Sequence, residues 1–224
     1  MIRINPKQAA GEAAARLAKD NMVVGLGTGS TTAYAIKALG KRVTDGLKIQ
    51  GVPTSYQAAF LAAENGIPLT TLDEHPVLDL DIDGADQIAN YIVIKGGGAA
   101  HTLEKIVAQS TKRFIVVVDE SKCTDVLSCP VPLEVLPPAR KLVMRQIVEL
   151  GGKIELRMGI NKDGPVISDN GNFIMDADFG KIGDPVYLDE KLSKCTGIVE
   201  HGIFTEVDAV IIGKKDGSIE ILEH

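Results

Sequence analysis

The chain has 224 residues, 45% apolar and 24% charged, a balance typical of a soluble globular protein of one or two domains. Its net charge of −6 and the absence of a basic cluster argue against nucleic acid as a partner. No apolar run reaches the roughly 18 residues of a membrane span, and the N-terminal residues lack the apolar core of a secretory leader. The three cysteines are odd in number and lack CxxC spacing, so we expect thiols and a cytoplasmic location.

Short apolar segments alternate with helical patterns over the first 118 residues. The spacing predicts helices and strands at these positions: helices at 9–18, 31–39, 55–64 and 99–110, and strands at 22–26, 47–52, 69–72, 77–82, 91–94 and 113–118. Strands separated by helices form right-handed βαβ units, so this part is predicted to be an α/β domain with a largely parallel sheet.

The pattern changes after the prolines at 130 and 132. Strand, helix, strand, strand, helix and strand follow one another between 133 and 203, which is the order of a ferredoxin-like module. A final pair of strands at 209–212 and 218–222 indicates a hairpin that returns to the first domain. We therefore predict an α/β domain formed by 1–128 and 204–224, with a ferredoxin-like α+β domain inserted at 129–203.

The first motif is GLGTGST at 25–31, between a predicted strand and a predicted helix. Glycines permit close backbone approach, and a helix N-terminus offers N–H groups to an anion. Hydroxyls of Thr28, Ser30 and Thr31, with Gly29 between them, add donors, so we expect a phosphate site. The alternative is a Ser N-cap on a glycine-rich turn. Neither the dinucleotide nor the Walker fingerprint is complete, which disfavours a nucleotide-dependent enzyme.

The second motif is DLDIDGAD at 79–86. It opens like a calcium loop, but the twelfth position is Asn90 where a Glu is required, so calcium is excluded. Asp83 and Asp86 are expected at the carboxyl edge of a parallel sheet, where α/β proteins bind ligands. The alternative is a strand end with solvated carboxylates. Asp79 and Asp81 are expected to have structural roles.

The third motif is KGGGAAHTLE at 95–104, where three glycines lead from a strand into a helix. Such a run is costly to order, which indicates a close ligand or a strained turn. Glu104 is predicted in an early helical turn, where the helix dipole favours an ionised carboxylate. The alternatives for Glu104 are an i,i+4 surface partner or an N-terminal helix acid without a function. The alternative for Lys95 is a solvated strand-end cation.

Two further lysines are weaker candidates. Lys122 follows a buried-looking strand, and Lys7 lies just before the first predicted helix, within reach of an anion. The alternative is a solvated surface position, which is the more frequent one for isolated lysines. The four histidines share no metal-ligand spacing, so no zinc site is expected.

In combination, these segments resemble the A type of ribose-5-phosphate isomerase. The resemblance is carried by GLGTGST, DIDGAD, KGGGAAHTLEK, VVVDESK, PLEVLP, SDNGNFIMD and GIVEHGIF, which span nearly the whole chain. It implies a Rossmann-like domain with an inserted ferredoxin-like domain. It also implies interconversion of ribose 5-phosphate and ribulose 5-phosphate in the pentose phosphate pathway, with no metal or cofactor, by a homodimer or homotetramer.

The resemblance also assigns residues. By motif, Glu104 corresponds to the catalytic base and Asp83 and Asp86 to the DGAD carboxylates. The remaining positions correspond to catalytic or substrate-contacting residues: Lys95, Gly96, Gly97 and Gly98 of the KGGG loop, Gly84 and Ala85 of DGAD, Thr28, Gly29, Ser30 and Thr31, and the phosphate-proximal Lys122 and Lys7. Gln87 and His101 depart from the family pattern, which puts substrate contacts or stability in question at those two positions.

The chemistry of an aldose–ketose isomerase suits these residue types. One carboxylate, Glu104, takes the C2 proton and returns it to C1 through an enediol(ate). Lys95 and glycine N–H groups are candidates to stabilise the oxyanion, and Asp83 to open the sugar ring. A non-catalytic sugar-phosphate sensor on the same fold is the alternative, and it would retain the phosphate loop without needing a base.

Overall fold

The computed structural model describes residues 5–224. Its helices are α1 (Pro6–Ala15), α2 (Thr32–Thr44), α3 (Tyr56–Glu64), α4 (His101–Gln109), α5 (Arg140–Glu149) and α6 (Pro185–Ser193). Its strands are β1 (Val23–Leu26), β2 (Gln50–Pro53), β3 (Leu80–Asp83), β4 (Gln87–Ala89), β5 (Ile92–Ile94), β6 (Phe114–Asp119), β7 (Val131–Val135), β8 (Lys153–Leu156), β9 (Phe173–Asp178), β10 (Ile198–His201), β11 (Ile203–Phe204), β12 (Ala209–Gly213) and β13 (Ile219–Glu223).

The chain divides into two compact units. The first comprises residues up to Ala85 together with Leu103–Cys123 and Glu206–His224, and the second comprises Asp86–Thr102 and Thr124–Thr205. This division groups 86–102 with the second unit, whereas the predicted boundaries placed that segment in the first domain. The division into one domain at 1–128 and 204–224 and a second at 129–203 remains a prediction.

The first unit is built on a six-stranded sheet in the order β13-β12-β6-β3-β1-β2. All neighbouring strands are parallel except β13, which forms the predicted C-terminal hairpin with β12. Strand β6 lies in the middle of this sheet. Its residues Phe114 to Val118 are all buried and mostly β-branched, as expected of a parallel strand covered on both faces. The predicted α/β class with a Rossmann-like parallel sheet is confirmed.

Small residues allow α1 and α2 to pack closely. Helix α1 is rich in alanine, and a Cβ added at Gly11 would lie 2.8 Å from the backbone nitrogen of Ala35 on α2. The asparagine before the helix, Asn5, caps it by accepting a hydrogen bond from the Lys7 backbone N–H. This cap fixes the position of Lys7 in the first turn of α1.

The second unit contains two antiparallel sheets. The four-stranded sheet has the order β10-β7-β9-β8, and α5 and α6 occupy the connections expected of a ferredoxin-like module. The three-stranded sheet, β11-β5-β4, corrects one prediction, because the strand expected at 91–94 pairs in a hairpin and not in the parallel sheet. A strand expected at 69–72 is also wrong, since only Leu69 forms an isolated bridge.

Among the helices within residues 5–224, none is long and apolar enough to span a bilayer.

A buried carboxylate organises the second unit. The side chain of Glu134 on β7 is fully buried and accepts hydrogen bonds from Thr102, Ser168, Asn170 and Asn172. Burial alone would raise the pKa of Glu134, but these hydrogen bonds to the ionised form outweigh it and lower the pKa below its ordinary value. The motifs at 132–137 and 168–176 therefore meet at one ionised group.

Glu134→Gln is expected to destabilise the protein by roughly 1.5–3 kcal/mol at neutral pH, because an amide cannot accept hydrogen bonds from all four donors. A lowered pKa means that this stabilisation is present above the ordinary value of 4.5 and is lost as the pH falls through the native value. Urea unfolding between pH 7 and 3.5 should therefore show a shallower acid dependence in the variant. Glu149→Gln, at an exposed α5 position, is the control and should follow wild type.

Candidate active site

Parallel pairing brings three predicted site segments to one edge of the first unit's sheet. Strands β1, β3 and β6 are parallel neighbours, with Leu26 paired to Ile82 and Asp83 paired to Val116. The loops after these strands therefore leave the sheet at its carboxyl edge, where α/β folds bind ligands. They carry the loop at 27–31 with its three hydroxyl side chains (the hydroxyl loop), the DGAD motif at 83–86 and Lys122.

The loop between β1 and α2 is fixed by the β2–α3 connection. Gly29 has a φ of 122°, which glycine adopts without strain, and its N–H donates to Gln57 Oε1 at 3.1 Å. The Thr28 hydroxyl lies 2.9 Å from Thr54 Oγ1 and 2.6 Å from Ser55 Oγ. No side chain caps the start of α2, where Thr31 is the N-cap residue, so the alternative of a Ser N-cap is wrong. The contacts of Thr54, Ser55 and Gln57 with this loop were not predicted, because they join segments that lie far apart in the chain.

The Asp83 carboxylate joins two of these loops. It is fully buried at the end of β3, and Oδ1 accepts hydrogen bonds from the backbone N–H of Thr28 at 3.0 Å and of Gly84 at 2.7 Å. A Cβ at Gly27 would collide with this carboxylate, so glycine is required there. The alternative of a solvated carboxylate at Asp83 is therefore wrong. The neighbouring Gly84 and Ala85 are half-buried.

A cationic region lies beside the hydroxyl loop. Lys7 Nζ donates to Ser30 Oγ at 2.9 Å, and Lys7 and Lys122 are half-buried rather than fully solvated. A cavity of about 360 Å³ is lined by Asn5, Pro6, Lys7, Asp119, Glu120, Ser121, Lys122 and Lys215. Burial would raise the pKa of Asp119, but hydrogen bonds from Ser121 and the charges of the two lysines hold it below its ordinary value. The negative charge of Asp119 partly offsets the positive charges of the lysines that line the cavity.

Glu104 lies in the first turn of α4, as predicted, and its side chain is buried. A carboxylate at this position is stabilised in its ionised form by the positive end of the helix dipole. Its burial, with only 4% of the residue exposed, rules out the alternative of a surface ion-pair partner.

In the second unit, the triple glycine forms a tightly held turn. Gly96 has a φ of 106°, and a Cβ there would lie 2.6 Å from His101 Nδ1 and 2.9 Å from Pro132. The Gly97 N–H donates to Asp86 Oδ2 at 2.7 Å, and a Cβ at Gly97 would meet the same carboxylate. Gly96 is therefore required by its positive φ and by packing, whereas a side chain at Gly97 would displace the Asp86 carboxylate. Gly97 and Gly98 are exposed to solvent.

Lys95 is buried at the start of this turn. Its backbone N–H donates to the Gly202 carbonyl at 2.8 Å, and its Nζ lies 5.4 Å from the centre of the Phe204 ring. The alternative of a solvated strand-end cation is wrong, because only 2% of the residue is exposed.

The two departures from the family pattern have structural explanations. Gln87 Oε1 accepts hydrogen bonds from the backbone N–H of Ser128 at 2.6 Å and of Cys129 at 2.9 Å, so it ties β4 to the loop before β7. His101 is fully buried, and its Nε2 lies 3.3 Å from the Glu200 carbonyl.

The predicted residues therefore fall into two groups. The first unit holds Lys7, Thr28, Gly29, Ser30, Thr31, Asp83, Gly84, Ala85, Glu104 and Lys122, and the second holds Asp86, Lys95, Gly96, Gly97 and Gly98. Across the described chain, no cluster of three or more His, Cys, Asp or Glu side chains fits a metal ion.

Comparisons with known proteins decide the family. A model of the family Ribose 5-phosphate isomerase A (phosphoriboisomerase A) matches residues 50–217. The ribose-5-phosphate isomerase A of Methanosarcina acetivorans is 59% identical over 218 residues, covering 96% of this chain and 93% of that protein. The chain belongs to the ribose-5-phosphate isomerase A family. The Pyrococcus horikoshii member is 49% identical over 217 residues, covering 94% of this chain and 95% of that protein.

Solved structures of the family share the fold. The ribose 5-phosphate isomerase A of Methanocaldococcus jannaschii superposes with a TM-score of 0.94 at 45% identity, covering 98% of each chain. A D-ribose-5-phosphate isomerase in complex with phospho-erythronic acid gives a TM-score of 0.95 at 47% identity, covering 99% of this chain and 100% of that chain. The family resemblance stated from the motifs is confirmed.

Proposed function

We propose that this chain interconverts D-ribose 5-phosphate and D-ribulose 5-phosphate through an enediol(ate), in the non-oxidative branch of the pentose phosphate pathway. The observation that carries the proposal is a buried carboxylate, Glu104, at the dipole-stabilised start of a helix in a chain of this family. The reaction is proposed to need neither a metal nor a cofactor.

Glu104 is the proposed base. Isomerisation removes a weakly acidic proton from C2 and returns it to C1, and one carboxylate on one face of the substrate can perform both transfers. The positive end of the helix dipole favours the ionised carboxylate that has to accept the proton.

Lys95 and the glycine loop are the proposed oxyanion-stabilising groups. Charge develops on the substrate oxygen in the transition state, and fixed donors stabilise it without reorganising. Lys95 is held by its backbone bond to Gly202 and by the Phe204 ring, and Gly97 is held by Asp86. Both elements are thus fixed before substrate binds.

The two DGAD carboxylates have different proposed roles. Asp83 is the proposed group that assists ring opening, and hydrogen bonds from the Thr28 and Gly84 backbone N–H groups hold its carboxylate in place. Asp86 orients sugar hydroxyls and holds the Gly97 N–H. A sensor without catalysis, the alternative function, has no need for a ring-opening group.

The substrate's phosphate is proposed to bind the first unit's hydroxyl loop. The start of α2 lacks a side-chain cap, and the Ser30 hydroxyl lies beside Lys7. Lys122 lines the same cavity as Lys7. Anchoring the phosphate at this end orients C1 and C2 for proton transfer.

Glu104→Gln tests the function and the base together. Glutamine keeps the size of the side chain but cannot take the proton, so kcat should fall roughly 10²–10⁴-fold while KM changes little. A coupled assay with ribose 5-phosphate, run with EDTA present throughout, measures both. Glu64→Gln, at an exposed α3 position, is the control.

Three outcomes would count against this account. Absence of turnover by wild type would favour the sensor. Activity that required an added divalent ion would refute the metal-free reaction. Near-normal turnover by Glu104→Gln would move the base to another carboxylate.

Lys7→Ala and Ser30→Ala test the phosphate site. Each should raise KM for ribose 5-phosphate about tenfold or more, because hydrogen bonds to a charged group are lost. Lys37→Ala, an exposed position on α2, should leave KM unchanged. Unphosphorylated ribose should be a poor substrate for wild type, and equal turnover of ribose and its phosphate would refute the assignment.

We also propose a cytoplasmic homodimer or homotetramer. Tyr56 and Phe60 on α3 are more than half exposed and stack with ring centres 6.1 Å apart, an apolar surface of the kind that subunit contacts cover. Light scattering should give a multiple of the 23.8 kDa chain mass. A particle of that single mass at assay concentration would contradict the proposal.

A further inference from the structure

An arginine of the ferredoxin-like sheet holds the triple-glycine turn. Arg157 follows β8, and its Nη1 donates to the carbonyl oxygens of Gly96 at 2.9 Å and Gly97 at 3.1 Å. The other side of the guanidinium forms a two-point ion pair with Asp176 on the adjacent strand β9, with Nε 2.8 Å from Oδ2 and Nη2 bonded to Oδ1. All four residues belong to the second unit.

These contacts fix one peptide group from both ends. The Gly96 carbonyl and the Gly97 N–H belong to the same peptide unit; Arg157 bonds the oxygen, and Asp86 accepts from the nitrogen at 2.7 Å. A rotation of this peptide would break both hydrogen bonds at once. Glycine has the greatest backbone freedom of any residue. The two side chains therefore restrict a segment that could otherwise adopt several backbone conformations.

The Arg157–Asp176 ion pair holds the guanidinium in one orientation. Its side chains are only 19% and 29% exposed, and its two parallel hydrogen bonds fix the plane of the guanidinium. A guanidinium is the one side chain whose planar fork can bind a carboxylate with one edge and carbonyl oxygens with another. A lysine would deliver the charge but not this geometry.

We propose that Arg157, held by Asp176, is a positioning residue for the isomerisation. It binds the Gly96 carbonyl, whose peptide carries the N–H held by Asp86, and the Gly97 carbonyl, whose peptide carries the Gly98 N–H, so it fixes the direction of the Gly98 donor. This inference rests on the proposed function, which assigns that loop to the developing oxyanion. Interactions that strengthen only in the transition state affect kcat, whereas the phosphate site dominates substrate affinity. Losing the arginine should therefore lower kcat and leave KM nearly unchanged.

Arg157→Ala, Arg157→Lys and Asp176→Asn test the inference in the full-length enzyme. We expect kcat to fall about 10–100-fold in Arg157→Ala, the range that small misplacements of reacting groups produce, with KM within about twofold of wild type. Arg157→Lys should lose nearly as much, and Asp176→Asn less. Arg145→Ala, which removes an exposed arginine paired with Glu149 on α5, is the control and should match wild type.

Chemical rescue separates positioning from a merely structural role. Millimolar ethylguanidinium should restore part of the kcat of Arg157→Ala, whereas ethylammonium at the same concentration should not. A kcat within twofold of wild type in both Arg157 variants, a change confined to KM, or a loss that guanidinium does not rescue in folded enzyme would overturn the inference. If Arg157→Ala does not fold, kcat and KM of Arg157→Lys decide by the same criteria.

The same assays distinguish this inference from the proposed function. If wild type isomerises ribose 5-phosphate and Glu104→Gln does not, the proposed function stands whatever the Arg157 variants do. Wild-type kcat in the Arg157 variants would then overturn the positioning role alone. Absence of turnover by wild type would overturn both.

Discussion

The buried carboxylate of Asp83 is the interaction on which the first unit's site depends. Its Oδ1 accepts two backbone N–H groups, one from the loop after β1 and one from the turn after β3. Hydrogen bonds to an ionised acceptor are stronger than neutral ones, and burial strengthens them further. Because Gly27 has no side chain, the loop can approach the carboxylate closely enough to make them. The hydroxyl loop is therefore fixed to the strand that carries the acid.

The second unit uses the same principle with different groups. Its triple-glycine turn has one backbone hydrogen bond, from the Ala99 N–H to the Gly96 carbonyl, and side chains supply the others: Asp86 binds an N–H group, and Arg157 binds two carbonyl groups. Glu134 likewise gathers four polar side chains around one ionised carboxylate. In both units, backbone of irregular conformation is held by charged side chains at or directly beside strand ends, which is how a loop becomes a rigid site.

The sequence was sufficient for much of the fold and for most candidate residues, for physical reasons. Long apolar periodicities predict the parallel strands and the ferredoxin-like order, and glycine or acid clusters at strand ends indicate the loops. Strands of two or three residues such as β5 and β11 carry too little periodicity to reveal which sheet they join. The roles of Gln57 and Arg157 depend on contacts across 28 and 61 residues of chain, which no local pattern encodes.

Solvent exchange tests the central claim, proton transfer by Glu104 through an enediol(ate), most directly. Wild-type enzyme and ribose 5-phosphate would be incubated in D₂O and the sugars examined by NMR at C1 and C2. A carboxylate that carries the proton exchanges it with solvent, so deuterium should appear at these carbons with wild type and be lost with Glu104→Gln. Isomerisation by wild type with no deuterium at either carbon, or equal incorporation by the variant, would contradict the account.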